Sequence, residues 1–446
     1  MKRSLCLTLL VCMLISLLSG GAHAAENITL TVAGDMTPAD AFSAFAREHP
    51  EIQIVESDVY DSATLIQDAM SHSDAVDVYF MYTLLSSTYE NLRDRGYFLE
   101  LSDPELLAMA DSIYPELREA ALYNGALCAL PFIIQGQPTL AVDLDCWEAL
   151  GLAEDELPST WAEALRFMLE RWPELSRDHS DIGLFTQSYA ELFLRSIENN
   201  YEAHRSKCGY EMGYDTEEFR EILNLFSQLS KTDAFSDEDA EEYERFLFWN
   251  DYIPSVRETH DRVRALRLSF RENDAPCYAV GYIVMAINPN SKHIDEAIAL
   301  TEYVFENNGA MEMLEICPAW NEPVIDEIYE EEQSAYAAQM EAYAAMLANT
   351  ADESERRAIE MERDAYAQAK QDFFAAYKYA ASPESIQRYR EEVEGIMVPI
   401  YETGISQEEY QAVNETRITF LNGQISADQY IRELERRFVF ASLEGR

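Results

Sequence analysis

The stretch from Tyr123 to Leu152 constrains the fold more than any other part of the chain. It opens on Asn124-Gly125, a pair that tolerates positive φ and marks a tight turn between extended segments. Two short apolar runs follow, Leu127 to Leu130 and, after Pro131, Phe132 to Ile134. Gln135-Gly136-Gln137-Pro138 interrupts the pattern, Thr139 to Val142 resumes it, and Cys146 to Leu152 turns helical. Apolar runs this short, bounded by Pro and Gly, read as buried strands rather than helix. Pro131 belongs at a sheet edge or a crossing, because it has no N–H to give a central ladder.

Upstream, strands and helices alternate. Ile28 to Val32 reads as a strand ending at Gly34-Asp35, and Thr37-Pro38-x-Asp40 starts a helix with a capping hydroxyl and a first-turn proline. Ile52, Ile54 and Val55 form a second strand, and Leu65, Ile66, Ala69 and Met70 mark a second helix. Ala75 to Met81 is a nearly continuous apolar strand, as expected when both faces are covered, and Ser86 to Arg95 is a helix stopped by Gly96. This alternation predicts a parallel α/β layer. Ligands of such sheets sit outside the C-terminal strand ends, which selects Gly34, Asp35 and Met36, and also Tyr79, Tyr82 and Thr83.

Downstream, Ser159 to Arg171 is helical, with Thr160 and Glu163 at capping-box spacing, and Ile182 to Phe185 is a short strand. Residues 187–275 are mostly helical and acidic around an aromatic centre, Phe246-Leu247-Phe248-Trp249-Asn250. Tyr278 to Ile287 is a second buried strand, followed by the Asn288-Pro289-Asn290-Ser291 turn and a helix from Ile294 to Phe305.

The order and spacing of Tyr123-Asn124-Gly125, Leu130-Pro131, Gly151-Leu152 and Leu157-Pro158-Ser159-Thr160-Trp161-Ala162-Glu163 resemble the extracellular solute-binding proteins of ABC importers, the sugar-binding type in particular. The resemblance covers about 25–323 and 400–440. It implies an α/β, two-lobed periplasmic-binding-protein type II-like fold with a hinge, and here a long helical C-terminal segment follows. In that family the Tyr123–Leu152 stretch carries the chain through the hinge, and a strand like Tyr278–Ile287 re-enters the first lobe. Cys317-Pro318-Ala319-Trp320-Asn321-Glu322-Pro323 resembles a further crossing. The expected division is a signal peptide at 1–24, lobe one at 25–122, lobe two at 123–279, a return to lobe one at 280–317, and a helical hairpin with C-terminal helices packing on lobe two at 318–446.

From Val324 onward the pattern is helical. Tyr329, Tyr336 and Tyr343 repeat at seven residues, as do Ile359, Tyr366 and Phe373, with Tyr377 one turn on. Separated by a break at Asn349 to Asp352, these seams predict a long helical hairpin that packs on itself or on a lobe, or serves as a partner-binding arm. The tail repeats a capping box at Ser406 and Ser426, each starting a helix.

Charge and leader bound the compartment. The chain carries 82 acidic against 33 basic side chains, a net of −49. That argues against nucleic acid and against anionic membrane surfaces, which both need clustered Lys and Arg. Lys2-Arg3, the apolar Leu5–Leu18 run and Ala22-His23-Ala24 make a secretory signal cleaved near Ala24, and no later stretch is long and apolar enough to span a bilayer. Gly21 follows Leu18-Ser19-Gly20 where many family members carry a lipid-modified cysteine, which argues against a lipid anchor. The mature chain is expected outside the cytoplasm, as a monomer. Cys128, Cys146, Cys208, Cys277 and Cys317 lack metal-ligand spacing and read as small core residues, with one disulfide left open. His72, His179, His204, His260 and His293 lie in polar surroundings and read as surface residues.

No nucleophile elbow, phosphate loop, zinc-protease motif or paired-cysteine site occurs, so no catalytic residue, metal or cofactor is expected. Sugar recognition needs hydroxyl partners and flat aromatic faces. Candidates at the expected cleft edges are Asp35, Tyr79, Tyr82, Gln135 and Gln137, with Trp249 beside Asn250 and Trp320 beside Asn321 and Glu322 as stacking pairs. For each, a structural role competes: loop acid, core tyrosine, turn polar residue or core tryptophan. The expected function is a receptor that captures a small solute, a carbohydrate by this chemistry, for an importer permease. The alternatives are a surface sensor or protein-interaction protein without transport, and a secreted carbohydrate-active enzyme.

Overall fold

The computed structural model describes residues 28–34, 36–57, 62–83, 88–185, 190–235, 243, 245–257, 262–400 and 407–444. The signal region with Gly21, Asp35, His260 and the Ile405-Ser406 cap lie outside the described residues.

The chain begins with β1 (Ile28–Gly34), α1 (Ala39–Glu48), β2 (Ile52–Glu56), α2 (Ser62–Met70), β3 (Val78–Tyr82) and α3 (Thr88–Asp94). β1 pairs in parallel with both β2 and β3, as the alternation predicts. The Thr37 hydroxyl does not cap α1; it donates to Glu56 at 3.1 Å, and α1 begins after Pro38 with no side-chain cap. Next come α4 (Pro104–Ser112), α5 (Pro115–Ala120), β4 (Leu122–Tyr123) and β5 (Ala126–Leu127). Asn124 and Gly125 turn between β4 and β5 with φ of 51° and 83°, the left-handed conformation their pairing demands.

β6 (Leu130–Gly136) and β7 (Thr139–Asp143) follow, and they belong to different sheets. β6 joins the larger sheet by pairing antiparallel with β11 (Tyr278–Ile287), all ten residues of which are buried. β11 also pairs antiparallel with β3. The larger sheet is therefore mixed: its parallel β1–β3 part is completed by a returning strand. Pro131 sits at a register shift in β6, where the ladder can do without its N–H.

β7 opens a second sheet with β8 (Ile182–Phe185), β9 (Arg245–Tyr252) and β10 (Val263–Ala265), in the order β10-β7-β9-β8. Packed on it are α6 (Leu144–Ala149), α7 (Trp161–Arg166), α8 (Ala190–Lys207) and α9 (Glu217–Leu229). α7 carries the expected capping box: the Glu163 N–H donates to Thr160 Oγ1 at 3.1 Å, and Glu163 accepts from the Thr160 N–H at 3.2 Å.

Each sheet has its own apolar core. Leu30, Phe80, Phe132 and Val284 lie in the first, and Trp147, Trp161, Phe193 and Phe248 in the second. The chain passes from first to second between β6 and β7 and returns between β10 and β11. α10 (Ile294–Glu306) and α11 (Ala310–Ile316) then cover the first sheet.

The C-terminal third is divided between the cores. β12 (Val324–Ile325) pairs with β13 (Tyr379–Ala381) at the base of a hairpin formed by α12 (Glu327–Asn349) and α13 (Glu353–Ala376). Its seam is aromatic: Tyr336 meets Tyr366 and Phe374 at ring separations of 5.9 and 5.7 Å, and Tyr329 meets Phe374 at 5.3 Å. Phe374, one position beyond the expected Phe373, is the ring that crosses to α12; Phe373 packs on Tyr377, which is itself exposed. Ile386, Tyr389 and Val393 of α14 (Pro383–Val393) and Met397 of β14 (Met397–Pro399) enter the first core. Phe420 of α15 (Gln407–Leu421) and Tyr430 and Ile431 of α16 (Ala427–Glu444) enter the second.

Candidate ligand cleft

The two cores meet where β6 becomes β7. The Gln137 N–H donates to the Ala279 carbonyl at 3.3 Å, tying this crossing to the start of β11. α8 bolts it from the second core. Asn199 Nδ2 donates to Gln137 Oε1 at 3.0 Å, Ser196 Oγ to the Pro138 carbonyl at 2.7 Å, and the Ala279 N–H to Asn200 Oδ1 at 3.2 Å. Gly136 is required here, because a side chain would run into the Tyr278 hydroxyl and Ile253. A segment between β9 and β10 also bridges: Val256 is buried in the first core, and Ser255 Oγ donates to Glu315 of α11 at 2.7 Å.

Several predicted residues come together around this junction. Tyr82, half-buried at the end of β3, stands opposite Ile283 of β11. Gln135 stands opposite Gly281 on the other side of the same strand. Gln137 is buried, its amide divided between Asn199 and the carbonyls of Gln135 and Gly136. The adjoining Thr83 is buried and exchanges two 3.1 Å bonds with the Tyr282 backbone, which fixes the mouth of β3. Gly34, at the mouth of β1, lies so close to the Phe80 carbonyl that no Cβ fits.

Trp249 and Asn250 approach from the second sheet. β9 ends at Tyr252, whose register partner is Thr139, the first residue of β7 after the crossing. Trp249 is half-buried against Ala141, Tyr252 and Val263. Asn250 is 1% exposed, and neither its amide nitrogen nor its oxygen has a hydrogen-bond partner among the described residues. Such an amide costs about 1–3 kcal/mol unless a polar group answers it.

Four predicted residues lie outside this bonded cluster. Tyr79 lies in the first core, 2% exposed against Phe98, with its phenol pushed up to about 12 by burial. Its competing core role is the one the structure shows. Trp320, Asn321 and Glu322 are exposed, on a loop that Arg390 of α14 holds by donating to the Pro318 and Trp320 carbonyls. Trp320 leaves 40% of its surface free, so a flat face is available there.

Sequence reasoning missed the residues that make the junction rigid. Asn199 and Asn200 are an ordinary-looking pair inside a helix, and Glu315 and Glu392 are two acids among many; nothing local marks them. It also misplaced His204, which is wholly buried and bonded to Asp274 at 2.9 Å rather than solvated. Cys128, Cys146, Cys277 and Cys317 are buried free thiols, as expected for core residues. A cavity of about 470 Å³ opens beside Pro158 and Arg171, away from the junction. Two of its carboxylates are engaged: Glu163 accepts from the Ser159 N–H and hydroxyl, and Glu156 pairs with Arg171.

Two α/β units joined by crossing segments, with strand mouths facing the junction, define a two-lobed binding-protein architecture. No protein-family model and no curated protein sequence matches the chain. Solved structures do. The Bacillus subtilis protein MsmE, in an open conformation, matches with a TM-score of 0.57 at 12% identity, over 94% of this chain and 98% of that one. Maltose-bound MalE3 of T. maritima matches with a TM-score of 0.51 at 13% identity, over 93% and 99% of the two chains. A sugar transporter of Rhizobium etli, also open, gives a TM-score of 0.51 at 13% identity, over 92% and 98%. The chain has the type II-like fold of the periplasmic binding proteins. Among the described residues no helix is long and apolar enough to cross a membrane.

Proposed function

We propose that this protein is an extracytoplasmic receptor that captures a carbohydrate between its two lobes and delivers it to the permease of an ABC importer. The observation that carries this reading is the junction itself. Tyr82 and Gln135 flank β11 at strand mouths of one sheet, and Asn250, near the end of β9 in the other, holds a buried amide without a partner among the described residues. Sugar hydroxyls satisfy such an amide, and the half-buried Trp249 and exposed Trp320 supply faces for the C–H surface of a sugar ring. The structural neighbours include a maltose complex and a sugar transporter, which supports the same ligand class. Capture and lobe closure are then the whole activity, and no bond is made or broken.

The test is a thermal-shift screen of the exported chain against mono- and oligosaccharides, amino acids and peptides, followed by calorimetry. A ligand that binds only the folded state raises Tm in proportion to the logarithm of its concentration over Kd. A shift confined to one sugar class, reduced in Trp249→Ala or Trp320→Ala, supports the reading. A well-folded sample that shifts with no sugar overturns it.

A further inference from the structure

The far end of α8 gathers a different set of groups. His204 lies in its last turn and Cys208 one turn on, the Cys208 N–H donating to the His204 carbonyl at 3.0 Å. This spacing of four puts both side chains on one helix face. Asp274, in the segment that leads into β11, reaches the same face, with Oδ2 2.9 Å from His204 Nε2. One ligating atom from each of the three residues falls within 4.8 Å of the other two. His204 is 0% exposed, and its second nitrogen, Nδ1, has no hydrogen-bond partner among the described residues.

We propose that His204, Cys208 and Asp274 form a binding site for a borderline-soft divalent cation such as Zn²⁺, with water as the fourth ligand. A nitrogen, a thiolate and a carboxylate are the donors such an ion takes. In a tetrahedral shell with bonds of about 2.0–2.3 Å, ligand atoms stand about 3.3–3.8 Å apart, and the three here already lie within 4.8 Å of one another. Cys208 is the one free cysteine among the described residues that is only half-buried.

The surroundings fit. The metal forms the S–metal bond as the thiol proton leaves to solvent; no oxidation state changes. Arg205 and Arg271 are engaged by Glu218 at 3.4 and 2.7 Å, and Tyr210 donates to both Asp274 oxygens at 3.1 Å, orienting the carboxylate. A bound ion would tie α8, rooted in the second core, to the segment entering the first sheet.

The test uses the full chain, purified without a histidine tag and stripped of metal with a chelator. Titration with Co²⁺ is expected to give one equivalent of binding with a near-ultraviolet thiolate-to-cobalt charge-transfer band, which Zn²⁺ displaces. Cys208→Ser should abolish the band while keeping the wild-type circular dichroism, and Asp274→Asn should weaken binding about ten-fold. Absence of the band, or its persistence in Cys208→Ser, overturns the site. In the unaltered chain, Zn²⁺ should protect Cys208 from alkylation, read by peptide mass; equal alkylation with and without Zn²⁺ also overturns it.

Discussion

The Tyr252 hydroxyl donates to both carboxylate oxygens of Glu392, at 3.3 and 3.2 Å, and both residues are buried. Tyr252 ends β9 in the second sheet, and Glu392 lies in α14, whose apolar side is in the first core. The Ala265 N–H adds a 2.9 Å bond to the same carboxylate. One acid therefore joins the two lobes beside the crossing strands.

Glu392→Ala should strand the Tyr252 hydroxyl and the Ala265 N–H, costing about 1–3 kcal/mol in urea unfolding. Glu392→Gln keeps an acceptor without the buried charge and should cost less. Burial raises the Glu392 carboxyl above the ordinary 4.5, so the folded state keeps this proton to higher pH than the unfolded state. The stability linked to it is present below pH 4.5 and is lost as pH rises through the folded value. Glu392→Gln should flatten that slope; an unchanged slope would exclude Glu392 as its source.

Glu302 of α10 has the same sign with a defined window. Burial first, then the neighbouring Asp103, push its carboxyl up to about 7 from 4.5. Its stabilising contribution should be complete below pH 4.5 and disappear as pH rises through about 7. Tm of the wild type and of Glu302→Gln, measured from pH 4 to 8, should diverge in that interval, with the variant losing less Tm as pH rises.

Arg417 of α15 and Glu198 of α8 form a buried pair at 2.6 Å, and the Tyr430 hydroxyl donates to the same carboxylate. Arg417→Met leaves Glu198 buried with its charge uncompensated and should destabilise by about 3–5 kcal/mol. The double variant Glu198→Gln/Arg417→Met should recover part of the loss, because the isolated charge is gone. A double variant that simply sums the single losses would show that packing, not the pair, holds the C-terminal helices.

Asn250 offers a prediction in which stability and binding move in opposite directions. Asn250→Ala removes an unpaired buried amide, so the ligand-free chain should be no less stable and by the desolvation term more so. Sugar affinity should fall about ten-fold, about 1.4 kcal/mol. Calorimetry alongside ligand-free melting separates this from a purely structural asparagine, whose loss would lower both.

Replacing residues 327–376 by a short Gly-Ser link should leave sugar binding unchanged. The ring contacts of α12 and α13 run between the two helices, and β12–β13 closes their base. A loss of affinity in calorimetry would instead place the hairpin at the cleft.

Elements and their boundaries follow from the order of amino acids wherever the cause is local. Asn124-Gly125 can only turn, Thr160 and Glu163 cap each other three residues apart, and the Tyr278–Ile287 run is too apolar to be anything but a buried strand. The strand–helix order and the hinge-like spacing around Leu130-Pro131 carried the fold class. What depends on residues distant in the chain is set by packing. Tyr79 is core because Phe98 meets it, and His204 is buried because Asp274 arrives 70 positions later. Glu392, one acid among 82, became the bond between lobes only because β9 and α14 converge on it. Alternating apolar residues encode which face is buried, but in so acidic a chain charge carries no such period. Only the packed fold shows which carboxylate has lost its water.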